Sequence, residues 1–279
     1  MTAEAMSLQH IEKTHPLRGL RGLLAVELRA WFPWRALFLT IAGCGVFALI
    51  YLPWRAGGVN PLGALLYPFL GLWIAMLLVS VVSLTEGSVL GEIERGTASW
   101  LVGMPIGRPA FIIAKFVAAA AGIAATVFAT GVAVYPILAD ASRIGITEFR
   151  VSELMETVQA PIGMWGRYTT LPDWSTYLAM LAALTMLLVF VVAVMILLGT
   201  TIRSRTAVFG LGLAVVGAFG AAWLAGSFAA ASPAGLIGAI ADAAQGKEAS
   251  FAVPITATLV WSGVVVLLAV WRFDRRELT

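Results

Sequence analysis

The side chains best suited to chemistry are concentrated in residues 86–115, EGSVLGEIERGTASWLVGMPIGRPAFIIAK, between two long apolar stretches. Three carboxylates and Arg95 stand beside apolar side chains that share one helical face, so the sequence predicts a short amphipathic helix. Such a helix could dock a protein partner, with the apolar side chains giving affinity and the charges giving orientation. The alternative is a solvated loop whose apolar face rests on lipid headgroups. The carboxylates are Glu86, Glu92 and Glu94, and the apolar anchors are Val89, Leu90, Ile93 and Trp100.

The chain lacks the residues that nucleotide binding or catalysis would require. Its Gly-Lys pair, Gly246-Lys247, has neither the upstream glycine nor the hydroxyl residue of a phosphate-binding loop. Both histidines, His10 and His15, precede the apolar segments, and Cys44 is the one cysteine. No metal cluster or intrachain disulfide is expected. We therefore predict that the chain is not an enzyme, binds no cofactor, and takes its energy from outside.

Composition predicts a membrane protein with several spans. Hydrophobic residues make up 60% of the chain and charged residues only 12%, against about a quarter charged in soluble proteins. Six charge-free intervals each contain about 20 apolar residues, enough to cross a bilayer. We predict an all-α fold with six transmembrane helices. The intervals are 36–54, 56–85, 116–139, 174–202, 206–241 and 249–271.

The distribution of basic residues predicts the orientation. With the N-terminus in the cytoplasm, 13 of the 18 lysines and arginines fall on the cytoplasmic side, as the positive-inside rule requires. The stretch 86–115 and the tail 272–279 are then cytoplasmic, and 139–175 and 230–249 are external. Because the positive charge is spread over loops at an anionic leaflet, it does not indicate nucleic-acid binding. No ionisable side chain is expected at the centre of a span.

The leader, residues 1–34, contains a second amphipathic segment. Leucines and Trp31 recur at helical spacing, while Arg18, Arg21 and Arg29 occupy other faces. This pattern predicts a helix lying in the membrane interface. The alternative is a helix packed on the protein itself.

Small residues predict where helices approach each other. In the third span Ala114, Ala118, Gly122 and Thr126 form a four-residue repeat, so this helix should be interior. The fourth and fifth spans are joined by the short turn IRSRT and should be antiparallel neighbours. In the fifth, Gly212 lies on one of two small faces.

The charged stretch and the six-span layout resemble the type-2 ATP-binding-cassette (ABC) exporter permeases. That family has a glutamate pair, Gly-Thr, an apolar run, a proline, an arginine shortly after it, and a lysine that begins the next span. Trp100 and Gly103 stand where the family often has leucines. The matching residues here are Glu92, Glu94, Gly96, Thr97, Pro105, Arg108 and Lys115.

The resemblance implies that 86–101 is a coupling helix inserted into a groove of a separate ATPase subunit, and that the leader supplies a connecting helix. It implies two permease chains, identical or different, with two ATPases that bind ATP and Mg²⁺, and a substrate path between the permeases. The expected location is the cell (inner) membrane, and the expected substrate is hydrophobic or amphipathic. The residues expected to serve coupling are Glu86, Val89, Leu90, Glu92, Ile93, Glu94, Arg95, Gly96, Thr97, Trp100, Pro105 and Arg108.

Two other functions are compatible with the sequence. One is a non-transporting module that uses ATPase docking to act on an external partner through residues 140–173 and 232–246. The other is a secondary carrier, which the lack of an ionisable residue at mid-span disfavours. The sequence assigns no substrate-binding residues.

Overall fold

A computed structural model describes residues 17–31, 40–41, 43–45, 75–85, 89–92, 107–143, 173–225, 231–244 and 247–275. Within these ranges the regular structure is helical, without a strand. Four helices are long and apolar enough to cross a membrane, which indicates an all-α, multi-pass membrane protein. The predicted first span, the external segment after residue 143 and the coupling stretch from 93 to 106 lie wholly or mostly outside the described residues.

The helices fall close to the predicted spans. The second, third, fourth and sixth predicted spans correspond to the four long apolar helices. The fifth corresponds to the helix Arg205–Ala225, which has 21 residues. In chain order the helices are α1 (Leu20–Trp31), α2 (Ala75–Glu92), α3 (Arg108–Arg143), α4 (Trp174–Thr201), α5 (Arg205–Ala225), α6 (Ala234–Ala244) and α7 (Ala252–Asp274).

Helix α4 is the centre of the bundle. It contacts α3, α5, α6 and α7, and side chains on all its faces, including Ala183, Leu187 and Val192, are buried. A helix that is hydrophobic all round is expected in a core of this kind. Its first turn is capped by Asp173, whose carboxylate accepts a hydrogen bond from the Thr176 N–H at 3.2 Å. The antiparallel α4–α5 pair confirms the prediction from the short turn.

Helix α3 confirms the prediction of an interior helix. Ala114, Ala118, Gly122 and Thr126 are all buried, and α3 contacts α1, α4 and α7. The small-residue stripe therefore does permit close approach. At Gly122, however, the approaching side chain is Trp31 of α1, so the partner there is the leader helix.

Helix α1 runs alongside α3. The Gly107 N–H donates to the Arg18 carbonyl at 3.1 Å. Trp31, thirteen residues after Arg18, meets Gly122, fifteen residues after Gly107. Since both segments advance about 1.5 Å per helical residue, the two helices are roughly parallel. The contacts of α1 agree with the alternative of a helix packed on the protein itself. Its position relative to the membrane interface stays a prediction.

One end of the bundle brings together the starts of α1, α3 and α5 and the described ends of α2, α4 and α7, and we call it the charged end. Here Arg108, at the start of α3, donates to the Asp274 carbonyl of α7 at 2.7 Å. The guanidinium of Arg205, at the start of α5, reaches to 3.0 Å from the position of a Cβ on Gly91 of α2. A Cβ on Gly199, near the end of α4, would lie 3.5 Å from the Val89 Cβ. The helices therefore alternate in direction between this end and the other.

Helix α6 packs into the bundle between α5 and α7. Leu236 and Ile240 are buried, and α6 contacts α4, α5 and α7. The indole N–H of Trp261 donates to the Ala231 carbonyl at 3.2 Å. Since Trp261 lies well inside α7, the turn that leads into α6 reaches down beside that helix.

Candidate functional site

The most unusual side chain of the described structure is Lys115, a lysine buried in the third turn of α3. Only 5% of it is exposed, and its ammonium pairs with two carboxylates from distant parts of the chain. The Nζ atom lies 2.8 Å from Oε1 of Glu27 on α1 and 2.6 Å from Oε1 of Glu92 at the end of α2. It also lies 5.1 Å from the centroid of the Phe111 ring. We call these three charged residues the Lys115 cluster.

Three helices build the cluster, and each contributes for a local reason. Phe111 and Lys115 are one turn apart on α3, so the ring lies directly below the ammonium. The parallel packing of α1 brings Glu27 to the level of Lys115. Helix α2 is described as far as Glu92, and Val89 and Leu90 in its last described turn are each 1% exposed.

Electrostatics explains why a buried lysine is tolerated here. An isolated buried ammonium is strongly unfavourable, but pairing with hydrogen-bonding carboxylates offsets much of the desolvation cost. The ammonium has three N–H donors, two of which the carboxylates occupy. The side chains of Glu27 and Glu92 are 23% and 28% exposed, so each carboxylate retains some contact with its surroundings. The cluster therefore carries one excess negative charge at the rim of the core.

The cluster is linked to a fourth helix through aromatic packing. The Phe111 ring stacks on Phe273 of α7, with ring centroids 5.5 Å apart. The Arg108–Asp274 hydrogen bond joins the same two helices one turn away. A displacement of Lys115 would therefore change the contacts among α1, α2, α3 and α7.

The predicted coupling residues divide into two groups. Val89 and Leu90, expected to anchor a partner, are buried in the chain's own core, and Glu92 pairs with Lys115. Arg108 bonds to α7. The others, Glu86, Ile93, Glu94, Arg95, Gly96, Thr97, Trp100 and Pro105, lie outside the described residues.

Sequence reasoning missed Glu27 and the role of Lys115. Glu27 is the one acidic residue of α1, in a segment whose other charged side chains are arginines, and this isolation was a usable signal. Lys115 was noted as the start of the third span, but the ion pairs join residues 88 and 23 positions apart in the chain. No local periodicity encodes such pairings.

The opposite end of α3 and α4 carries an aromatic cluster. The Tyr135 ring lies 4.5 Å from Trp174 and 4.8 Å from Tyr177, measured between centroids. The Tyr177 hydroxyl donates to the Gly131 carbonyl at 2.8 Å. Hydrogen bonds from the side chain of Ser175 and from Thr176 lower the pKa of the exposed Asp173 carboxyl to about 2. These contacts fix α3 against α4 and cap α4, which is a structural role.

Neither a scan against models of protein families nor a search of curated proteins finds a match to this chain. In the part of the chain that the structure describes, no three histidine, cysteine, aspartate or glutamate side chains gather as metal ligands. The function is therefore inferred from the geometry of the charged end.

Proposed function

We propose that this chain is the membrane-embedded permease subunit of an ABC exporter, powered by two separate ATPase subunits that dock on residues 86–101. In this proposal the chain lies in the cell (inner) membrane, with six spans and both termini in the cytoplasm. It pairs with a second permease chain. The observation that carries the proposal is the Lys115 cluster. It ties the start of the docking stretch to three other helices at the charged end.

A stretch that transmits force must be attached firmly to the helices it moves. Val89 and Leu90 are held in the core, and Glu92 is held on α3 by its ion pair with Lys115. We therefore assign these three residues to the inner attachment of the stretch. The outward contacts with the ATPase then fall to residues 93–101, with Glu94 and Trp100 as the charged and apolar components.

The described core favours a hydrophobic or amphipathic substrate over a polar one. Buried hydroxyls mostly bond to their own helix, as Thr126 does to the Gly122 carbonyl and Thr185 to the Leu181 carbonyl, both at 2.8 Å. Side chains used in this way are not available to line a polar path.

A secondary carrier is the second candidate, and the burial of Lys115 is the observation that favours it. Ionisable side chains inside membrane proteins commonly mark ion or proton pathways. The position of Lys115 near the end of the bundle favours a structural role, in which it holds neighbouring helices together, over a place in an ion or proton pathway. Transport by energised vesicles depleted of ATP would select the carrier.

Isolation of the tagged chain in mild detergent, followed by mass spectrometry of every bound chain, tests the proposal. We expect an ATPase subunit in the wild-type sample and its loss from the double variant Glu94→Lys/Trp100→Ala. The variant Asp242→Asn is the control, since its exposed pairing with Lys247 at 3.7 Å lies outside the charged end. Absence of any ATPase from the wild-type sample would contradict the proposal.

A further inference from the structure

Helix α1 is held on the bundle by contacts along one side. Three contacts with α3 form what we call the seat of α1. The Arg18 carbonyl accepts a hydrogen bond from the Gly107 N–H, Glu27 pairs with Lys115, and the Trp31 ring packs on Gly122. The opposite side is open, with Val26 65% exposed. Among the described helices, α1 contacts the bundle mainly through this seat on α3.

The central contact of the seat is shared with α2. Because Glu27 and Glu92 each place an oxygen within 3 Å of the same Nζ atom, the two oxygens lie within about 6 Å of each other, where like charges repel. Glu92 therefore affects α1 in two ways: it shares the ammonium with Glu27 and repels the Glu27 carboxylate.

We infer that α1 is a releasable element, and that the position of Glu92 at the end of α2 sets how tightly α1 is docked. When Glu92 is seated on Lys115, the ammonium serves two carboxylates and α1 is held less firmly. When Glu92 moves away, Glu27 has the ammonium alone and α1 is held more firmly. Linkage makes the effect reciprocal, so release of α1 strengthens the hold on Glu92. This link exists in the isolated chain, whether or not an ATPase docks on it.

Limited trypsin digestion of the full chain in detergent micelles measures α1 docking. Arg29 is on the exposed side of α1, and cleavage after it requires the helix to open, so the rate follows the population of the open state. Lys247, in the segment before α7, is an internal reference in the same digest. Mass spectrometry gives the ratio of the two cleavage rates.

We expect Glu92→Gln to slow cleavage at Arg29 by about threefold, as for a partly exposed charge interaction. Lys115→Met should accelerate it by about tenfold or more, because two carboxylates are then left facing each other. In the Glu27→Gln background the slowing by Glu92→Gln should disappear, since no carboxylate remains on α1 to be repelled. Gly217→Ala is the control and should leave the ratio unchanged, because a Cβ there would meet no atom within 4 Å and the residue lies away from both cleavage sites.

Unchanged or faster cleavage in Glu92→Gln would overturn the inference, and so would an equal effect of Glu92→Gln with and without the Glu27 carboxylate. If Lys115→Met does not yield folded protein, the comparison of Glu92→Gln in the two backgrounds decides the question. Glu92→Gln and Glu27→Gln each replace a partly exposed side chain with one of the same shape.

Discussion

Replacing Gly122 with alanine tests whether α1 is seated on α3 through Trp31. A Cβ on Gly122 would lie 2.4 Å from Cε3 and 2.7 Å from Cδ2 of the indole, whereas carbon atoms pack at about 3.5–4.0 Å. The ring must therefore retreat by roughly 1 Å. Because an indole is rigid and Trp31 is the last residue of α1, this retreat displaces the end of the helix.

The expected magnitude follows from two opposing effects. Overpacking of this kind costs about 1–3 kcal/mol, while alanine in place of a helical glycine stabilises by about 1 kcal/mol. Gly217 of α5 is the matched control, because a Cβ there would meet no atom within 4 Å. The free energy of unfolding should therefore be lower in Gly122→Ala than in Gly217→Ala by about 1–3 kcal/mol.

The assay is reversible unfolding in mixed micelles, carried out as a double-mutant cycle with Trp31→Leu. In the Trp31→Leu background the clash is relieved, so Gly122→Ala should behave like Gly217→Ala. Two results would refute the reasoning. One is equal stability of the two glycine variants in the wild-type background, and the other is a penalty at Gly122 that persists without the indole.

Three further substitutions test other contacts that hold the bundle together. Gly212→Leu should separate α5 from the bundle and lower the thermal stability in micelles by more than the control Gly210→Leu does. A Cβ on Gly212 would lie 2.5 Å from Met195 Sδ and 2.8 Å from Val82 Cγ1, whereas a Cβ on Gly210 would meet no atom within 4 Å. Tyr177→Phe should lower the free energy of unfolding by about 0.5–1.5 kcal/mol through loss of the bond to the Gly131 carbonyl; an unchanged value would show that this bond contributes nothing. Hydrogen bonds from Ser175 and Thr176 lower the pKa of Asp173 from 3.8 to about 2. The stabilising effect of the cap is therefore fully present above pH 3.8 and is lost as the pH falls toward 2. Thermal melting of Asp173→Asn should accordingly approach that of the wild type at pH 2; a constant difference between pH 7 and pH 2 would contradict the assignment.

The four long apolar helices were predictable from the sequence because a bilayer imposes a simple requirement on length and polarity. The small residue at Gly122 also predicted a close approach, since the absence of a side chain is a local property. The identity of the approaching element was not predictable, because Trp31 could equally well anchor in a lipid headgroup region. Periodicity predicts that a helix has an apolar face and leaves open what covers it.

The same limit explains Val89, Leu90 and Lys115. The sequence predicted that Val89 and Leu90 lie on the apolar face of a helix. A pattern of side chains does not distinguish a face that contacts a partner from one that contacts the chain's own core. The burial of Val89 and Leu90 depends on the end of α4 arriving beside them. The ion pairs of Lys115 depend on α1 lying parallel to α3 and on α2 ending its described part beside both. Both are consequences of topology that no window of sequence contains.

The degree of burial in the Lys115 cluster bears on how it can work. A pair buried completely on both sides is costly to break, because each separated charge remains desolvated. In this cluster the lysine is buried while both carboxylates keep about a quarter of their side-chain surface exposed. A carboxylate that leaves the lysine can therefore recover hydration at once, whereas the lysine always retains the other partner. An exchange between one and two partners is then accessible without an unpaired buried charge. The arrangement suits a joint that holds three helices together and still permits one of them to move.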